Sequence, residues 1–245
     1  MSYFNFVTLH TTRLKEEGMK TQTRLSVAVA VLLSAMTIAC TTDAYDKGEG
    51  TYSTMLTDLT ELAIDHQKQA VSFTTDEGQQ YMLSNPFTGQ WIETADTIYR
   101  TVVNFKLQDD GRAEVLQLGV IPTLIMHQPE DFKHPKFDPM ELESLWTAKN
   151  GKYVNMALLL KNGRDADGNE GAHSLGLMCD EIRLNADNTR TACCRLLHDQ
   201  GDAPLYYTNR RYVSILLPDK NRPDSLQLTI ATFDGTISKT VSIRP

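Results

Sequence analysis

Residues with chemical potential are few in this 245-residue sequence, and their spacing rules out more than it suggests. Asp165, Asp167 and Asn169 alternate as oxygen donors do around a calcium ion. The positions where an EF-hand loop needs Gly and then Glu hold Glu170 and Gly176, so a solvated hairpin turn is expected instead. Cys179, Cys193 and Cys194 lack the Cys-x-x-Cys pair and neighbouring His that complete a zinc site. His173-Ser174 is an adjacent base and hydroxyl, but neighbours on a strand point to opposite faces, which keeps them from acting as a nucleophile pair. Neither a nucleophile elbow nor a phosphate or dinucleotide loop occurs. No catalytic residue, metal or cofactor is expected. Tyr206, Tyr207, Arg210 and Arg211 form one basic-aromatic cluster that could face a ligand, with Tyr212 beside it. Trp91, Tyr99 and Phe105 could stack on a sugar or base in the same way, although aromatics in strand patterns usually belong to the core.

The elements that carry these residues read as strands. Apolar residues alternate in 70–73, 98–105 and 113–118, with turn signals at Asp76-Glu77-Gly78, Asn85-Pro86 and Asp109-Asp110-Gly111. Residues 51–127 are therefore expected to form a small closed or half-closed barrel of about five strands. Residues 128–151 carry three prolines and read as a linker. Within it Asp138 can cap, Pro139 suits a first helical position, and Met140, Leu142, Leu145 and Trp146 supply an apolar side for one short helix. Strands resume over 152–245 and predict an antiparallel β-sandwich. The whole chain is expected to be all-β apart from that helix. A hairpin with Ala186 and Asp187 at its midpoint sets Cys179 opposite Cys194, a candidate disulfide; a register slip would offer Cys193 instead.

Composition sets the class. The chain has 41% hydrophobic residues and a net charge of −7, which suits a folded protein and disfavours binding to nucleic acid through an overall positive field. The uncharged run Leu25–Ala39 follows Lys20 and Arg24 and is shorter than the roughly 20 residues of a membrane-crossing helix, as in a secretion signal. Residues 19–24 form a complete basic n-region, whereas Glu16 and Glu17 before them do not fit one, so Met19 is the expected start. Thr37-Ile38-Ala39-Cys40 resembles the lipobox of bacterial lipoproteins, which implies lipidation of Cys40 after removal of residues 1–39. Residues 41–50 then form a polar tether.

The order of these parts is similar to that of the NigD-like lipoproteins of Bacteroidota. It runs from Cys40 through a strand-rich first half to Ala172-His173-Ser174-Leu175-Gly176-Leu177, Thr191 to Asp199 and a closing strand pair. The resemblance implies an N-terminal OB-type barrel, a C-terminal sandwich and a lipid-anchored place in the envelope, on the periplasmic face or the cell surface of the outer membrane. The expected function is non-enzymatic binding of a macromolecule or glycan. The alternatives are a structural subunit of an envelope assembly and, from the family's bacteriocin-associated name, an immunity-like protein. The membrane, through the anchor, and a glycan or envelope protein are the expected partners.

Overall fold

The computed structural model describes residues 54–165 and 167–243. Cys40, the Met19 start and the 41–50 tether lie outside them. Two lobes follow one another within a single compact unit that begins at Thr54.

The first lobe is a closed barrel of β1 (Leu56–Ile64), β2 (Ala70–Thr75), β3 (Gln80–Phe87), β4 (Thr97–Leu107) and β5 (Ala113–Val120), in the order β1-β2-β3-β5-β4. Its pairs are antiparallel except at the closure, where Leu83 of β3 meets Ala113 of β5 in parallel. Alternation along each strand sends one set of side chains inward. Leu62, Phe73, Leu83, Val103 and Phe105 thereby fill the barrel. Phe73 and Phe105 meet edge to face with ring centres 4.9 Å apart. Phe105 is thus a core residue, and Trp91 and Tyr99 pack on each other at 5.3 Å against the same core, so these three aromatics do not form a ligand face.

The second lobe stacks two sheets. One runs β14 (Gly235–Ser242), β13 (Ser225–Thr232), β11 (Arg190–Asp199), β10 (Ser174–Leu184) and β7 (Met126–His127). The other runs β6 (Thr123–Leu124), β12 (Tyr207–Leu216), β9 (Tyr153–Asn162) and β8 (Glu141–Thr147). Met156, Leu158, Leu177, Leu196, Ile215 and Leu228 are fully buried between them. The sandwich is not purely antiparallel: β11 and β13 run parallel because β12, between them in sequence, belongs to the opposite sheet. Residues 123–127, assigned to the barrel by the strand rhythm, pair with β12 and then with β10 and so tie the two sheets together.

The linking helix expected over 138–146 is absent. Glu141–Thr147 is an edge strand paired with β9, and the helical turn among the described residues is a short 3-10 turn at Pro129–Asp131. The cause is a bulge at Glu143, where the register moves from Leu142↔Leu158 to Ser144↔Ala157. One extra residue in an alternating strand puts Met140, Leu142 and Leu145 on one side at a spacing that imitates a helix.

Candidate functional site

The lobes are joined by buried polar groups. Arg100 on β4 and Asp76 just beyond β2 form an ion pair of 2.7 Å, their side chains 3% and 10% exposed. From the sandwich, Asn155 of β9 donates to the same Asp76 oxygen at 2.7 Å and accepts from Arg100 at 3.0 Å. Ser214 of β12 accepts from Arg100 Nε at 3.0 Å and donates to Asn155 at 2.8 Å. Beside them the Arg100 guanidinium lies 4.1 Å from the centre of the Tyr153 ring. The Tyr153 hydroxyl donates to Glu61, which also pairs with Lys152 at 2.8 Å. Burial, and then the hydrogen bond to Glu61, push the Tyr153 phenol up to about 12. Each charge has an opposite charge beside it, so the cluster fixes the geometry of the joint, while Asp76 Oδ1 and Arg100 Nη1 stay buried without a hydrogen-bond partner.

Two cavities flank the joint, and Val102 of β4 and Tyr212 of β12 border both. The first, about 550 Å³, is acidic: Asp58, Asp76, Glu77 and Glu143 line it along with Trp146 and Lys149. Burial holds the Asp58 carboxyl above its usual range. The second, about 470 Å³, has the opposite character. Arg210, Arg211 and His173 line it over an apolar wall that includes Val120, Ile121 and Leu175, and no carboxylate is among its lining residues. Both volumes fall within the roughly 300–1,000 Å³ of small-molecule sites.

The expected basic-aromatic cluster is therefore divided. Arg210 and Arg211 border the second cavity. Tyr207 opens β12 and Tyr206 precedes it, beside Asn162 and Gly163 and outside the cavity lining, and Tyr206 is 79% exposed. The aromatic residue that joins the arginines is Tyr212. Arg210 is held by Glu143 from the bulge of β8.

His173 enters through a second buried contact. Its Nδ1 lies 2.9 Å from Nε2 of the fully buried His198, with the rings stacked, and His198 Nδ1 lies 3.1 Å from the Asp138 carbonyl. A carbonyl can only accept, so His198 Nδ1–H donates to it and His198 Nε2 accepts from His173 Nδ1–H. The remaining His173 nitrogen, Nε2, is then an acceptor, closed off from solvent and without a hydrogen-bond partner. Burial, followed by the neighbouring His198 and Arg211, holds His173 below the ordinary histidine range. The sequence places His173 beside Ser174 but gives no sign of His198, 25 residues away.

The remaining candidates are resolved individually. The Asp165 carboxylate accepts from the backbone N–H groups of Asp167 and Asn169 and from the Asn169 amide, which makes it the brace of its own turn. Those bonds, the backbone one from Asn169 foremost, hold Asp165 below its usual range. Cys179 stands directly opposite Cys194 as the sequence predicts, with both thiols free. The hairpin reaches that register by a different route. Its turn is centred on Asp187, with Asn188 at φ 62°, and a bulge at Asp180 then shifts the pairing back by one residue.

Solved structures share this architecture. A NigD-like immunity protein from Bacteroides caccae superposes with a TM-score of 0.56 at 20% identity, over 75% of this chain and 91% of its own. A lipoprotein candidate from Bacteroides fragilis gives 0.56 at 10% identity, over 78% and 98%. A protein of unknown function from Bacteroides vulgatus gives 0.55 at 14%, over 77% and 90%. The chain has the fold of these Bacteroidota proteins. This is the barrel-plus-sandwich architecture implied by the NigD-like resemblance. No family model matches the sequence. No curated protein matches it either.

Proposed function

We propose that this chain is a lipid-anchored, non-enzymatic protein of the outer membrane that binds a glycan or an envelope macromolecule at the joint between its lobes. The observation that carries the reading is the 470 Å³ cavity, where two arginines, a histidine and a tyrosine border an apolar wall. Placement in the envelope rests on the lipobox-like segment ending at Cys40 and on the fold shared with a lipoprotein candidate. Two or three acyl chains at roughly 0.8 kcal/mol per buried methylene would give stable anchoring. Nucleic acid is not a partner in this reading, since the net charge is −7.

A second reading, a subunit of an envelope assembly, draws on the edge of β10. Its pairing with β7 covers Leu177 and Met178, and the exposed Ile182 and Leu184 lie beyond that contact. Such an edge can receive a strand from another chain. The immunity-like reading draws on the fold shared with the NigD-like immunity protein of B. caccae.

Fractionation and glycan binding test the proposal together. Native chain should partition with membranes and Cys40→Ala with the soluble fraction, and protease treatment of intact cells then assigns the face. The mature chain should bind members of an array of envelope glycans, with binding weakened by substitution of Arg210 or Arg211. A membrane-bound Cys40→Ala chain overturns the anchor; an empty array overturns the glycan reading and moves the assembly reading ahead.

A further inference from the structure

Arg211 differs from the other cations at the joint. Arg100 is neutralised by Asp76, Lys152 by Glu61 and Arg210 by Glu143. Arg211 also lines the basic cavity, and while its backbone pairs with Leu158 of β9, its guanidinium makes no ion pair or hydrogen bond among the described residues. A guanidinium carries five N–H donors in a planar fork that matches two oxygens of one carboxylate or phosphate. In a chain with 31 acidic and 24 basic residues, a cavity whose lining holds the unpaired Arg211 and no carboxylate is locally positive where the overall field is negative. The remaining wall is unsuited to a bare ion. Val102, Val120, Ile121 and Leu175 give it an apolar lining, and Tyr212 adds an aromatic one.

We propose that this cavity is an oxyanion subsite for an acidic sugar. Arg211 takes the carboxylate or phosphate in a two-pronged pair, Arg210, held in place by Glu143, offers its remaining N–H donors at the rim, and the apolar wall and Tyr212 receive the C–H face of the ring. The neutral His173 ring stands at the edge of the same cavity, braced by His198. This assignment rests on the proposed binding function and names the ligand class for that site. Specificity follows from the missing partner: a neutral sugar leaves Arg211 unpaired, whereas an anionic one converts it into a charge-assisted pair.

The test is titration calorimetry of the mature chain with D-glucuronate, D-glucose 6-phosphate and D-glucose at low ionic strength, each repeated with Arg211→Gln and Arg211→Lys. At least one anionic sugar should bind tenfold or more tightly than glucose. Arg211→Gln should remove most of that preference, and Arg211→Lys should restore part of it, as a point charge without the fork. Because Arg211 has no partner to lose, the unfolding midpoint of Arg211→Gln should match that of the native chain, which separates lost binding from lost folding. Binding of glucuronate alone identifies a carboxylate site and binding of the sugar phosphate alone a phosphate site; both support the assignment. Equal binding of glucose and the anions, or anion binding unchanged in Arg211→Gln, overturns it and leaves glycan binding as such intact. Absence of heat with all three sugars also overturns it, while the glycan array decides the broader reading separately.

Discussion

Removing the Asp76 carboxylate should loosen the whole molecule, because that group is shared by both lobes. Asp76→Ala leaves the Arg100 guanidinium, 3% exposed, without its counter-ion and deprives the Asn155 amide of its 2.7 Å acceptor. Breaking a buried pair from one side costs about 3–5 kcal/mol, since the surviving charge stays buried and uncompensated. Against a total stability of roughly 5–15 kcal/mol, that is a large fraction. Replacing both partners by apolar side chains, Asp76→Leu with Arg100→Met, leaves no orphan charge. It should bring the loss back to within about 2 kcal/mol of the native chain. Urea unfolding followed by circular dichroism gives each free energy. The two tryptophans report the lobes separately, Trp91 from the barrel and Trp146 from β8. The native chain should unfold with coincident signals, and Asp76→Ala with the two separated. A single variant less than about 1 kcal/mol below native, or a double variant losing the sum of both singles, would refute the reasoning.

Three further outcomes follow from the same geometry. The folded-state pKa of His173 is depressed, so its neutral ring contributes stability that is fully present above the unfolded value, about 6.5, and is lost as pH falls from there toward the folded value. His173→Gln should therefore flatten the decline in stability below pH 6.5, measured as the difference in urea midpoint from native chain across pH 5–7.5. Gly171→Ala should destabilise by about 1–3 kcal/mol and distort the basic cavity, because the new Cβ would stand 2.1 Å from Ala203 Cβ and 2.4 Å from its Cα; thermal melting reads it directly. In reduced protein, Cys193, partly exposed, should alkylate before Cys179 and Cys194. Both of those are buried, and burial together with Cys179 raises the Cys194 thiol further, as timed mass spectrometry would record.

Strand rhythm made most of the architecture legible, since a half-buried strand shows its alternation in its own residues. The barrel strands around Phe73 and Phe105 and the sandwich strands around Leu158 and Leu228 could be read in this way. Bulges were invisible, because one inserted residue changes the period without changing composition. At Glu143 this turned a strand into an apparent helix. At Asp180 it cancelled a half-residue error in the turn, so the Cys179–Cys194 register was right for an incomplete reason. The joint was hidden by distance: Arg100 and Ser214 are 114 residues apart. Its trace in the sequence is a polar residue inside an apolar run, Asn155 in Tyr153-Val154-Asn155-Met156 and Ser214 in Val213-Ser214-Ile215. Tyr206 and Tyr207 were grouped with the arginines because they are near in sequence. An extended strand carries them roughly 3.3 Å further from Arg211 per residue, which takes them out of the cavity.

Hydrogen exchange of the mature chain, with and without the glycan that binds best on the array, tests the central claim most directly. Binding at the basic cavity should slow exchange in residues 119–122, 171–175 and 210–213, the segments that form its wall. Protection confined to the β10 edge at 180–184, or to the barrel surface away from the joint, would contradict it.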